Sequence, residues 1–367
     1  MMNANAALGL LVGFFALFNS SHAIALLRGQ WSEHKLTYGL SFKAEDEHTR
    51  KQIFEENLKY IENVNAANLT YKLKMNHLGH LRAHEVVKGM NAEILKTKLM
   101  SEANYRIELK SNSNKFYEDL EVDWRKVNAV SPVKDQGNCG SCWSFSTTGA
   151  MESQYRLKYG KMKLFSEQQL VDCDRQNIDQ GCNGGFPVAA FEYIREFGLL
   201  TEEEYPYSAH SNQCRFKPDE NGHLNSTKVT GYTVIEMNEN ALTEAIYKRG
   251  PISVAIDASS SDFQFYHSGV YQNPSCGSAV SELDHAVLAV GFGVDKVHKT
   301  PYYIVKNSWS SGWGDHGYIK MIRNGKNNCG IATFATYPNL YRLNRRALED
   351  DFAIINYFIY SFFIYFS

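Results

Sequence analysis

Apolar positions change their rhythm several times along this chain. The first run, Ala6 to Phe18, is mostly apolar and uncharged, and Ser21-His22-Ala23 puts small residues at the −3 and −1 positions of a cleavage site. This predicts a secretory signal peptide over residues 1–23, since so short a run does not span a bilayer. A buried apolar helix is the rival reading, because no Lys or Arg precedes the run. From 24 to 110, Trp31, His34, Leu36, Tyr38 and then Ile53, Phe54, Leu58, Ile61 and Val64 recur at roughly helical spacing among many charges. That pattern predicts helices. Residues 111–119 are largely polar and show no core pattern, as expected of a linker and processing site.

Further on, no charged side chain occurs between Gln136 and Met151, and Glu152 is the first after Asp135. A helix without charge is a buried one. Ile252 to Ile256, His285 to Val290, Tyr302 to Val305 and Tyr318 to Ile322 are short β-branched and aromatic runs bounded by Gly and Pro, which predicts strands. The expected class is α+β in two halves, helix-rich first and strand-rich second, without internal repeats. After Pro338-Asn339 come Arg342, Arg345, Arg346 and Glu349-Asp350-Asp351, then an apolar run from Phe352 broken by Asn356 and Ser361. Residues 341–367 therefore form a tail of unknown role. Membrane association by it stays open beside a functionless tail or a reading-frame error.

Length and charge narrow the function. The 367 residues exceed one compact domain, and a formal net charge of −2 offers no field to attract nucleic acid. All seven cysteines fall between Cys139 and Cys329. In an exported chain most should pair, and an odd number leaves one thiol over.

The leftover thiol points to Gln136-Gly137-Asn138-Cys139-Gly140-Ser141-Cys142-Trp143. Cys139-x-x-Cys142 alone fits half a zinc site or a redox pair. No second ligand pair and no thioredoxin-like βαβ setting follows, so no metal and no cofactor are expected. A cysteine at the start of an uncharged helix meets unsatisfied N–H groups and the positive end of the macrodipole, which favour the thiolate. An imidazolium nearby would stabilise it further and later protonate a leaving amine.

The octapeptide resembles the active-site signature of the papain and cathepsin L family of cysteine proteases. Leu283-Asp284-His285-Ala286-Val287 with Gly291-Phe292-Gly293 is similar to the family's histidine strand. Lys306-Asn307-Ser308-Trp309 with Gly312-Trp313-Gly314 is similar to its asparagine block. The resemblance covers roughly residues 24–338. It implies a papain-like two-domain fold (helical left domain, β-barrel-like right domain) preceded by a helical propeptide. Residues 24–117 would be the inhibitory propeptide and 118–340 the peptidase domain. The implied catalytic residues are Cys142 as nucleophile, His285 as acid/base, Asn307 as orienter of the imidazole, and Gln136 in the oxyanion hole, with Trp309 covering the His–Asn bond.

The resemblance also implies the disulfides Cys139–Cys182, Cys173–Cys214 and Cys276–Cys329. Gly185 would hydrogen-bond the substrate backbone. Phe186, Pro187, Ala255, Leu283, Ala286 and Phe334 would line an apolar S2 pocket. Such a pocket should accept Leu or Val and reject Arg, because no carboxylate offsets the desolvation of a cation. Arg50, Phe54, Asn57, Ile61 and Asn65 match the pro-helix motif of cathepsin L-like zymogens, with Asp46 where the motif has Glu. The second pro-motif is eroded, with Lys74, Asn76, Leu78 and His80 standing where Gly, Asn, Phe and Asp are usual.

Asn68-Leu69-Thr70 and Asn225-Ser226-Thr227 are glycosylation acceptors in an exported chain. The expected protein is a monomeric endopeptidase zymogen, lysosomal or secreted, acting on proteins and peptides. Its partners would be its own propeptide as intramolecular inhibitor and cystatin-like inhibitors. A protease-binding homologue without turnover is the alternative.

Overall fold

A computed structural model describes residues 29–90, 117, 120–175, 178–217 and 226–340. The signal-peptide run, the sequon at Asn225 and the tail from 341 lie outside these residues.

The N-terminal unit is built on two helices, 29–38 and Ala44–Ala66. Glu45, Asp46 and Glu47 crowd the first turn of the longer one, where the macrodipole favours negative charge. Ile53, Phe54 and Ile61 form its buried face. Trp31 packs on Phe54 and Phe42, with ring centroids 5.4 and 5.7 Å away, and donates its indole N–H to Glu47 at 2.8 Å.

The polar members of the pro-helix motif tie this helix to the segment that follows. Asn65 donates to the Leu73 carbonyl and accepts from the Leu73 N–H, both at 2.9 Å. Asn57 donates to the carbonyls of Gly79 and Leu81 at 2.9 and 3.0 Å. Arg50 grips both oxygens of Glu85 at 2.8 and 3.0 Å. Each side chain meets backbone or carboxylate of the following segment, so the motif acts as a set of staples.

Nine strands form one sheet. They are β1 (Tyr71–Leu73), β2 (Val122–Asp123), β3 (Val229–Val234), β4 (Ile252–Ile256), β5 (Tyr266–Tyr271), β6 (His285–Val294), β7 (Pro301–Lys306), β8 (Tyr318–Ile322) and β9 (Ala335–Leu340). The order is β1-β5-β8-β7-β6-β4-β9-β3, with β2 pairing β6. β4 is buried along its whole length and β6 along nearly all of it, which is why both read as continuous apolar runs. A Cβ on Gly291 would collide with the Val122 carbonyl, so glycine there lets β2 close on β6. The pro-segment strand β1 joins the edge of the sheet, antiparallel to β5, with Tyr71 opposite Gly269.

In the other half, the central helix Cys142–Tyr159 is buried from Cys142 to Ser153, and Gly160 stops it at φ 70°. Helices Glu167–Cys173 and Pro187–Phe197 pack around it, with Phe165, Leu170, Phe191 and Ile194 in the shared core. Buried charges cross between the halves. Glu152 accepts from Lys134 at 2.7 Å, from the Phe165 N–H at 3.0 Å and from Ser131. Lys134 also reaches Glu167 at 2.5 Å, and Lys306 donates to Ser131 at 3.0 Å. Cys139 is bonded to Cys182, Cys173 to Cys214 and Cys276 to Cys329, and Cys142 is the free thiol.

One expectation differs in detail. Tyr117, within the stretch read as coreless, is buried, with its ring 5.4 Å from Tyr247 and its carbonyl accepting from Arg323 at 3.4 Å. An aromatic ring contributes enough area to dock even in a polar setting.

Candidate active site

Three element ends converge. Cys142 is the first residue of the central helix, His285 the first of β6, and Asn307 follows β7 directly. The Ala286 N–H points at the Cys142 Sγ, 3.4 Å away. His285 Nε2 lies 2.8 Å from Asn307 Oδ1. An amide oxygen accepts only, so Nε2 carries the hydrogen and Nδ1 keeps a lone pair for proton exchange. The Ser308 N–H donates to the same Oδ1 at 2.8 Å, which fixes the amide. Trp309 lies over the imidazole at 4.8 Å between ring centroids. Phe263 and Trp313 meet Trp309 edge-on at 5.5 and 5.4 Å. This aromatic cover keeps water from the His–Asn bond.

Gln136 is held at four atoms, its backbone N–H donating to the Ser308 carbonyl at 2.8 Å. Its carbonyl accepts from Tyr207 OH at 2.8 Å, its Oε1 accepts from Ser308 Oγ at 2.6 Å, and its Nε2 donates to the Cys139 carbonyl at 2.9 Å. One Nε2 hydrogen remains for another acceptor. Ser308 and Tyr207 escaped the sequence reading. Ser308 sits inside the recognised Asn-Ser-Trp block, so its signal was present. Tyr207 comes from a loop with no pattern of its own.

The pro-segment covers this constellation. Gly89 lies against the thiol so closely that a Cβ there would overlap the Cys142 sulfur. Its carbonyl accepts the Gly185 N–H at 3.1 Å. Met90 packs in one buried cluster with Cys142, Ile178, Phe186, Ala255, Leu283, Ala286 and Phe334. Five of the six residues read as an S2 pocket are therefore together. Pro187 is buried beside them at the first turn of its helix but is not part of the cluster. Trp309 lies apart, over the imidazole. Gly89 and Met90 could have been suspected from a lone Gly in a glycine-poor segment, but nothing local says where that Gly docks.

Burial sets the protonation of the covered site. The Cys142 thiol is pushed up to about 12, mainly by desolvation and only partly opposed by the Ala286 N–H. His285 is brought down to about 4 by burial, against the pull of Asn307. Burial thus favours the neutral form of both thiol and imidazole while Gly89 covers them. Asp284 is raised to about 7, again by burial. Among the described residues no group of three His, Cys, Asp or Glu is arranged to hold a metal. Among them, too, no helix is long and apolar enough to cross a membrane.

Comparison with known proteins agrees with this geometry. Residues 119–339 match the papain family cysteine protease domain, and residues 31–86 match the cathepsin propeptide inhibitor domain (I29). The chain belongs to the papain family of cysteine proteases and carries the propeptide of a zymogen. Digestive cysteine proteinase 2 of Homarus americanus is 46% identical over 331 residues, spanning 88% of this chain and 98% of that protein. Cathepsin L2 of Homo sapiens is 42% identical over 323 residues, spanning 85% and 92%. Among solved structures, digestive procathepsin L 3 of the Tenebrio molitor larval midgut superposes with a TM-score of 0.74 at 40% identity, covering 86% of this chain and 99% of that one.

Proposed function

We propose that Cys142 and His285 hydrolyse peptide bonds as a thiolate–imidazolium pair once the pro-segment has left. The observation that carries this reading is a helix-opening thiol held by the N–H of the residue next to an Asn-oriented imidazole, at a place where a chain segment already lies. In the first half-reaction the Cys142 sulfur bonds the scissile carbonyl carbon and the C–N bond breaks. His285 gives its proton to the departing amine. Water then releases the acyl group, with His285 taking its proton. Gln136 Nε2 and the Cys142 N–H stabilise the oxyanion. A thiol-reactive epoxide should label Cys142 alone after acid processing and abolish turnover of a peptide–fluorophore. Turnover that survives full labelling would overturn the assignment.

The apolar cluster around Met90 supports an apolar P2 preference. Met90 is thin and unbranched, and Phe334 and Phe186 are buried in the same cluster. Leu or Val should be preferred over Phe at P2, and Arg should be disfavoured, by roughly 10- to 200-fold in kcat/KM. A P2-varied library tests this, with Phe334→Ala expected to gain selectively for Phe. A wild type that already prefers Phe would show that Phe334 does not close the pocket.

Acid release of the propeptide is read from its histidines. His34 packs on Phe54 at 4.7 Å, Tyr38 at 5.0 Å and His80 at 6.0 Å. Burial lowers His34 and His80 to about 4, with the Arg50 charge also acting on His80. His77 is lowered by burial, against Asp135. A base whose folded pKa is depressed contributes stability above its ordinary value of about 6.5, and loses it as pH falls toward the folded value. The propeptide should therefore loosen progressively below about pH 6.5. His34→Gln with His80→Gln should shift the processing profile to lower pH, measured by intact mass against pH. Superimposable profiles would remove the histidines from the trigger.

The division at 117/118 is part of the same proposal, with processing expected within 111–119 and readable by N-terminal sequencing. Lysosomal or secreted residence, a monomeric state, cystatin-like inhibitors and glycosylation at exposed Asn68 belong to the same proposal.

A further inference from the structure

Behind the cleft lies a carboxyl pair that the chemistry above does not use. Asp179 is buried, and its Oδ1 accepts the Phe186 N–H at 2.7 Å. A Cβ on Gly185 would stand 2.5 Å from that oxygen and 2.6 Å from the Trp143 ring. Asp179 and Trp143 thus form the rear wall of Gly185, whose N–H faces the pro-segment carbonyl in front. Asp174, just past the helix Glu167–Cys173, is equally buried, and its carboxyl faces that of Asp179. Ionised carboxylates only accept, so a hydrogen bond between two of them requires a proton.

We propose that Asp179 is a positioning residue for the peptide substrate, keeping the segment Gly184–Phe186 in place through a proton it shares with Asp174. The inference rests on the peptidase reading above, in which Gly185 binds the substrate backbone. With the proton present, Asp179 Oδ1 stays on the Phe186 N–H and the Gly185 N–H stays aimed into the cleft. Without it, two like charges share a buried site and are driven apart.

The surroundings do little to neutralise a second charge. Arg175, from the same loop, faces the pair as a cation, but it is exposed, with its guanidinium against Gly181. Tyr193, from the helix Pro187–Phe197, faces Asp174. Trp143, from the central helix, is uncharged. Asp172 is engaged elsewhere, with Gln168, Asn212 and Tyr205. Burial, with the neighbouring carboxyl second, raises Asp179 well above the ordinary carboxylate range. A carboxyl with a raised folded pKa holds fully below its ordinary range, and the hold is lost as pH climbs through the raised value. Substrate binding should weaken toward neutral pH for this reason alone.

Steady-state kinetics of the processed enzyme on a peptide–fluorophore, followed from acid to neutral pH, tests the proposal. For the wild type, KM should rise roughly tenfold over that range, with a smaller change in kcat. Asp179→Asn supplies an amide that accepts from Phe186 and donates to Asp174 without a shared proton, so its KM should stay nearly flat. Asp179→Ala leaves the Phe186 N–H without its acceptor and should raise KM roughly tenfold at every pH. A KM profile for Asp179→Asn that superimposes on the wild type would overturn the proposal, and so would an unchanged KM for Asp179→Ala. If the Ala variant does not fold, the Asn comparison decides. A wild type that turns over no substrate at any pH would instead overturn the peptidase reading beneath it.

Discussion

Iodoacetamide should alkylate Cys142 at least about 10³-fold faster in the processed enzyme than in the proform, in mildly acid buffer. Two effects act together. In the proform burial pushes the thiol up to about 12, so in mild acid it stays almost wholly protonated. Gly89 also lies directly against the sulfur and denies the reagent a path. After processing, water returns to the site, His285 regains its proton, and a thiol at a helix N-terminus beside a cationic imidazole titrates at about 3.5–7.5. The rate should then be nearly flat across mild acidity and fall only as the imidazole loses its proton. In the proform it should climb about tenfold per pH unit. Mass spectrometry of labelled samples reads both. Equal rates in the two forms would mean that the pro-segment does not cover the thiol, and labelling of two or more native thiols would contradict the disulfide pairing.

Gln136→Ala should lower kcat by about 10²–10³-fold, or about 2.7–4 kcal/mol, with little change in KM. The expectation follows from how Gln136 is held. Ser308 and Cys139 fix its amide so that the remaining N–H needs no reorganisation when an oxyanion forms. The interaction strengthens only as negative charge develops, so it acts on kcat rather than on ground-state binding. Ser308→Ala should give a smaller loss in the same direction, because the amide keeps its Nε2 bond to the Cys139 carbonyl. A Gln136→Ala enzyme with kcat within a few-fold of wild type would move the oxyanion site elsewhere.

Most of the fold was legible because its elements announce themselves locally. The uncharged run after Gln136 is the buried helix, and the β-branched runs at Ile252 and Tyr318 are strands with the same limits in sequence and structure. The residues of the site were legible because each lies in a block with fixed neighbours. What stayed hidden depends on contacts between distant segments. The docking of Gly89 on Cys142, the pairing of Tyr71 with Gly269 and the grip of Tyr207 on Gln136 join stretches with no shared local pattern. The histidines show a related gap. His80 reads from sequence as a residue with an ordinary pKa, and only burial beside His34, Phe42 and Arg50 brings it down to about 4.

The central claim is that Cys142 performs the chemistry and that the propeptide withholds it. The direct test is peptide–fluorophore turnover by wild type and Cys142→Ser, with the variant processed in trans because it cannot process itself. The wild-type proform should be inert, the processed wild type active in acid, and the processed variant folded but without measurable turnover, since a serine hydroxyl is far less acidic than a thiol. Turnover by the processed variant near the wild-type rate would contradict the account.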